Sequence, residues 1–293
     1  MNSSKLKLIV NADDFGLAAN INEGILSAHK NGIVTSTSIV AQGKAFKQAV
    51  EISKENPTLD VGIHLTLAEE FPLLNPERIP TLVNSEGKFF PHAQKFFKNY
   101  LLGKFSKDDI QLELEAQINK VINSGIKISH IDGHQHLHVL KDVFDITVKL
   151  ALKYDIPVIR IPFEKIKPYM FSQKVSLTRI LSLKVLNFIS NKKRNKKFLY
   201  ADGLAGFIFG GNLNKENLLK LLYELPKSGV YEIMCHPGYN DSASPYSHWN
   251  YNWDSELKAL TDPDILKFMN ERNIELINFR DFAELKSRTE ITQ

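Results

Sequence analysis

Four short apolar runs in this 293-residue chain end in side chains that bind metals or move protons. Leu6–Val10 leads into Asn11-Ala12-Asp13-Asp14-Phe15-Gly16, and Val61-Gly62-Ile63 leads into His64. Ile128–Ile131 leads into Asp132-Gly133-His134-Gln135-His136-Leu137-His138, and Val230–Cys235 into His236-Pro237-Gly238. A carboxylate or imidazole beside apolar packing is costly unless it is paired or bound to a metal. The adjacent carboxylates Asp13 and Asp14 cannot both point the same way along an extended strand. A division of labour follows, with one as metal ligand and the other as free base. His64 and a histidine from the second cluster would complete a shell of two imidazoles and one carboxylate, leaving open positions for water and substrate. Such a centre acidifies water and polarises a carbonyl oxygen. Singly, an Asp-Asp pair is usually a turn and a lone histidine a core residue. Four of the nine histidines lie within residues 130–138, and this crowding carries the metal reading.

The elements that must position these groups alternate. Strand-like runs lie near 6–12, 34–41, 60–66, 127–133, 157–162, 198–202, 231–236 and 274–279, with helical patterns between them. The clearest helix starts at Ser106 as N-cap, continues along a stripe of Ile110, Leu114, Ile118, Val121 and Ile122, and stops at Gly125. Others are expected near 18–30, 43–55, 141–154, 214–224 and 255–272. Repeated strand-then-helix units imply parallel strands with crossover helices. Seven or eight units, with functional residues at several strand C-terminal ends, favour a barrel over an open sheet. One α/β domain over 1–293 is therefore expected, a distorted (β/α) barrel with two insertions.

The first insertion, 68–105, is rich in proline and aromatics and follows the His64 strand, so it suits a lid or a homodimer contact. The second, 163–200, alternates Leu and Ile with Lys and Arg. Its basic cluster of Lys192, Lys193, Arg194, Lys196 and Lys197 is read first as a solvated loop, and second as a transient contact with an anionic membrane surface through 163–197.

Composition narrows the classes. A net charge of +4 is too mild to argue for nucleic acid. The single cysteine, Cys235, forbids an internal disulfide and suits the cytoplasm. No apolar h-region follows Met1–Lys5 and no run of about 18 apolar residues is present, so neither a secretory signal nor a transmembrane helix is expected.

The blocks Asn11–Gly16, Gly62-Ile63-His64-Leu65, His130–His136 and Cys235–Gly238, in this order over nearly the whole chain, resemble the YdjC-like carbohydrate deacetylases. The resemblance implies a barrel related to polysaccharide deacetylases, and hydrolysis of the N-acetyl group of an amino sugar with one divalent metal. Magnesium is the first expectation, with zinc or manganese as alternatives. It further implies Asp13 as general base, Asp14, His64 and His134 as metal ligands, and His236 as general acid. Arg160 of Arg160-Ile161-Pro162 would orient the base. The roles of His130, His136 and His138 stay open. The chain departs from the family at Trp253-Asp254-Ser255-Glu256-Leu257, where an arginine is common.

After His236, the residues Tyr239, Tyr246, Trp249, Tyr251 and Trp253 interleave with Asn and Asp. Flat apolar rings with polar neighbours suit a pyranose. Tyr239, Trp249 and Trp253, together with Asn11, are therefore expected to contact an N-acetylated sugar, either an oligosaccharide or a lipid-linked glycosamine. The rival readings are an amidohydrolase acting on a non-sugar amide and a non-catalytic sugar-binding barrel. The former would show a second metal or a lysine at a strand end. The latter would lack Asp13, His64 or His236.

Overall fold

The computed structural model describes residues 5–172, 176–191 and 193–291; Met1–Ser4, 173–175 and the Lys192 of the basic cluster lie outside them. Among the described residues there are eight strands, all parallel: β1 (Leu6–Phe15), β2 (Ser36–Ile39), β3 (Asp60–Leu65), β4 (His130–Gly133), β5 (Val158–Ile159), β6 (Gly203–Ala205), β7 (Gly229–Cys235) and β8 (Glu275–Leu276). They are ordered β5-β4-β3-β2-β1-β7-β6, and β8 wedges against Lys7 and Leu8 at the start of β1. The ring is drawn together between β5 and β6 by one bridge, Val158–Leu199, and one hydrogen bond from Leu204 N to Phe163 O (2.9 Å). This thin join is the distortion expected of the barrel.

Helices cover the outside because their apolar stripes match the strands' buried residues. In helix Lys107–Asn123, Ile110, Leu114, Ile118 and Val121 are buried, and Ser106 Oγ caps the first turn by accepting from Asp109 N. Ile122 is 36 % exposed, since one residue's rotation carries it off the stripe that Val121 closes. The helix expected over 255–272 is two, Trp253–Leu260 and Pro263–Glu271. Pro263 has no N–H to continue the first, and Asp262 caps the second by accepting from Asp264 N. β6 sits a few residues later than expected, and the final helix, Phe279–Ile291, was not anticipated.

The aromatic insertion folds onto the barrel. Phe89 and Phe96 are buried, Phe105 packs on Phe96 (4.5 Å) and Phe90 (5.8 Å), and Ala93–Leu101 forms a helix at the barrel mouth. The second insertion contains helix Leu177–Ser190 on the same rim. Among the described residues, no helix is long and apolar enough to cross a membrane.

Candidate active site

At the end of β1 the chain breaks its register with β2 between Ala12 and Phe15, and Asp14 adopts a left-handed backbone (φ 71°). This irregularity cancels the alternation of an extended strand, so Asp13 and Asp14 both line the same cavity. The segment after β4 does something similar, with Gln135 and His136 in succession at φ 50° and 56°. Non-glycine residues in this region cost about 1–3 kcal/mol each and tend to occur at functional sites.

Asp14 Oδ1 stands 3.5 Å from His64 Nε2 and 3.4 Å from His134 Nδ1, and it is buried with no hydrogen-bond partner among the described residues. Three ligand atoms held tetrahedrally at about 2.1 Å from an ion lie about 3.4 Å apart, so the spacing fits a bound divalent metal. Each imidazole is braced from behind. His64 Nδ1 is 2.7 Å from Asp132 Oδ1, and His134 Nε2 is 2.9 Å from Glu69 Oε2. Carboxylates in these positions fix the tautomer that offers the other nitrogen to a metal. Burial works against charge here, yet the adjacent imidazoles of His134 and His64 hold Asp14 at about 2. Likewise, Asp14 and Glu69 overcome burial and push His134 up to about 10. A second trio, Asp13, His64 and Asp132, is also close enough to chelate. Its two carboxylates are already occupied by a guanidinium, which excludes a cation there.

That guanidinium is Arg160, which follows β5 and is wholly buried. It donates from Nη1 to Asp13 Oδ2 (2.7 Å), from Nη2 to Asp13 Oδ1 (2.8 Å) and from Nε to Glu232 Oε1 (2.7 Å), and Nη1 also lies 2.9 Å from Asp132 Oδ2. Burial favours the protonated form of Asp132, but Arg160 and His64 hold that carboxyl well below its usual range. Burial dominates at Glu232 and pushes it up to about 7. Asn11, expected to touch substrate, is instead wholly buried and donates to Asp13 Oδ1 (2.8 Å) and Ser38 Oγ (3.1 Å). It steadies the Asp13 carboxylate and does not line the cavity.

The cavity holds about 420 Å³ and brings Asp13, Asp14, His64, His134 and His236 together with Tyr251. His236 is placed through its backbone: Glu256 Oε2 accepts from His236 N (2.6 Å) and Oε1 from Leu213 N (3.0 Å). The aromatic cluster after His236 divides. Trp249 stacks on His134 (5.4 Å, 28°), and Trp253 is buried behind it against Tyr251 (5.0 Å). Tyr239 is 42 % exposed and away from the cavity lining, with its backbone tied to Asn20.

The remaining histidines separate by environment. His130 is stacked on Phe279 (3.8 Å) in the core, where burial lowers it to about 3. His138 Nε2 bonds to Arg160 O (2.9 Å) and so supports the guanidinium's backbone. His136 lines the cavity and lies 5.6 Å from Phe207. Sequence reasoning gave no role to Glu69, Glu232, Glu256 or the Asp132 it quoted. For Glu69 and Glu256 no local signal exists, whereas Asp132 and Glu232 stand in strands already marked by the candidate residues His134 and His236.

The sequence profile described as YdjC-like protein matches residues 7–271. A carbohydrate deacetylase of Thermoanaerobacter pseudethanolicus is 36 % identical over 276 residues, covering 93 % of this chain and 97 % of its own. One from Clostridium beijerinckii is 35 % identical, covering 94 % and 100 %. A crystal structure from Enterococcus faecalis, of a protein provisionally described as a cellobiose-phosphate cleavage protein, superposes with a TM-score of 0.76 at 29 % identity, covering 96 % of this chain and all of that one.

Proposed function

The chain belongs to the YdjC-like protein family, and from that premise we propose that it hydrolyses the N-acetyl group of an acetylated amino sugar, releasing acetate and the free amine. The observation that carries this reading is a single cavity in which a three-atom metal cradle adjoins a carboxylate gripped by a buried arginine.

Asp14, His64 and His134 would hold the ion, which supplies a Lewis acid for the amide carbonyl and makes water more acidic. Asp13 accepts the proton of the attacking water. Its Oδ1 already takes donors from Arg160 and Asn11, whereas Oδ2 takes one from Arg160 alone, so Oδ2 keeps the spare lone pair. Arg160 and Asn11 fix the direction of that lone pair. His236 donates a proton to the departing nitrogen, which is a poor leaving group as an anion. Tyr251 and Trp249 stand beside the acid and the ligand His134, where a pyranose face would rest. Trp253 supports them from behind, and Tyr239 is left as an outer contact for a longer substrate.

Two imidazoles and one carboxylate suit Zn²⁺ or Mn²⁺ better than Mg²⁺, which prefers all-oxygen shells and keeps its waters. A homodimer and a membrane-surface contact through 163–197 are kept as separate proposals, read out by sedimentation and by vesicle co-flotation. The cytoplasm remains the proposed compartment, in keeping with a single buried thiol, Cys235. The test is acetate release from a panel of N-acetylated amino sugars by metal-loaded and chelated protein. Release that disappears on chelation and returns with metal supports the proposal. Metal-loaded protein that releases no acetate from any of them contradicts it.

A further inference from the structure

The loop that carries Trp249 is anchored inward at one large side chain. Of residues 239–250 only Ser244 and Tyr246 are buried, the latter 5 % exposed. Trp249 hangs from that anchor twice. Its N–H donates to Tyr246 O (3.0 Å), and the two rings lie 4.9 Å apart. The Tyr246 phenol in turn faces the carboxylate of Glu70, in the first insertion. Burial pushes Glu70 up while the phenol beside it pulls the other way, and burial with the Glu70 charge pushes the phenol up.

Glu70 follows Glu69, the carboxylate behind His134, and Glu69 has a left-handed backbone (φ 69°). That conformation is costly for a residue with a Cβ. It is held from the far side of the insertion, where Glu69 N donates to Phe90 O (2.8 Å) and Phe89 N to Glu70 O (3.2 Å). The turn sends two adjacent carboxylates to different targets, Glu69 to His134 Nε2 and Glu70 to Tyr246. Trp249 closes the circuit by stacking on His134 (5.4 Å, 28°).

We propose that Glu70 and Tyr246 are positioning residues for the sugar: through their contact, the turn that braces His134 also sets the stacking face of Trp249. The inference rests on the deacetylase reading for its ligand, an N-acetylated pyranoside, and gives a role to two residues outside the reacting centre. As packing alone the pair is wasteful, since two apolar side chains would be buried there without the desolvation of a carboxylate. As a directional contact it fixes the rotation of the Tyr246 ring, and with it the turn from which Trp249 is suspended.

The test uses metal-loaded wild type, Tyr246→Phe, Glu70→Ala and Glu70→Gln, with thermal melting to check folding. Methyl N-acetyl-glucosaminide is titrated calorimetrically, and acetate release is followed on the same sugar. Tyr246→Phe and Glu70→Ala should each weaken binding and raise KM by about tenfold, with kcat within about twofold. The two changes combined should be no worse than either alone. Glu70→Gln keeps an acceptor oxygen and should stay near wild type. Metal affinity, read by competition with a chelator, should not move in any of them. Without sugar, acrylamide should quench Trp249 more strongly in Tyr246→Phe, read as the signal that Trp249→Phe removes. Unchanged binding and quenching in Tyr246→Phe and Glu70→Ala overturn the proposal. So does metal affinity that falls in step with sugar affinity, the mark of a turn that has merely come apart, and so does a fall in kcat alone. Sugar that binds wild type, binds the variants more weakly and is never hydrolysed sinks the deacetylase reading and leaves the positioning role standing. Failure of wild type to bind the glycoside overturns both.

Discussion

Arg160 grips Asp13 through both carboxylate oxygens, at 2.7 and 2.8 Å, across 147 residues of sequence. The same guanidinium reaches Glu232 and Asp132, and Asp132 in turn orients His64. The proposed base and the proposed metal cradle thus rest on one buried ionic frame. The orientation of the Asp13 carboxylate and, through Asp132, that of His64 depend on a single side chain.

Removing Arg160 should therefore cost stability as well as activity. Arg160→Met would leave Asp13, Asp132 and Glu232 facing one another in the barrel interior without a cation. Breaking a buried pair from one side costs about 3–5 kcal/mol. Urea unfolding should show a loss of that order, with Arg160→Lys losing less. A change under about 1 kcal/mol would mean the carboxylates are satisfied some other way.

Glu69→Gln should loosen the metal while leaving the fold in place. Glu69 holds His134 Nε2 from behind and bonds to Gln135 as well. Carboxylates that brace a ligand histidine are worth about 10–100-fold in metal affinity. Competition with a chromophoric chelator should read a drop within that range. Unchanged affinity would remove Glu69 from the site.

Glu164 gives stability a pH dependence that can be isolated. Its carboxylate accepts from Gly206 N (3.1 Å) and Ile208 N (3.2 Å), and burial pushes it up to about 7 despite those donors and the charge of Arg179. A carboxyl raised on folding from 4.5 stabilises below that value and loses the contribution as pH rises through 7. Between pH 5 and 8, wild type should lose up to about 3 kcal/mol relative to Glu164→Gln, since other groups cancel in the difference. Parallel stability curves would contradict this.

Gly24 is fixed by a close approach. A Cβ at this helix position would meet Gly238 Cα at 2.3 Å, in the loop that follows His236. Backbone cannot yield as a flexible side chain would, and overpacking of this kind costs about 1–3 kcal/mol. Gly24→Ala should lower the denaturant midpoint accordingly and reduce kcat by displacing His236. A variant matching wild type in both would show that the loop moves freely.

Much of this was legible in the sequence because strand ends announce themselves. The alternation of apolar runs and helical stripes marked a parallel barrel, and the runs ending in Asp14, His64 and His134 marked groups that the fold brings to one point. The left-handed turn at Asp14 was not legible: an Asp-Asp pair at a strand end reads as alternating, and only the broken register with β2 lets both carboxylates share a cavity. Nor was the true place of Asn11, because whether a strand residue faces substrate or a neighbouring side chain depends on the residues opposite, here Ser38 and Asp13. Glu69 needed a contact spanning 65 residues. The helix break before Pro263, by contrast, is written in the sequence as an Asp-Pro pair.

The central claim is that Asp13 moves the proton while Asp14, His64 and His134 hold the metal. The most direct measurement determines bound metal and acetate release in the same preparation of Asp13→Asn, beside wild type and His134→Ala. Asp13→Asn should keep its metal and lose about 10²–10⁴ in rate, whereas His134→Ala should lose both. An Asp13→Asn protein that retains its metal and a tenth or more of wild-type activity would contradict the account.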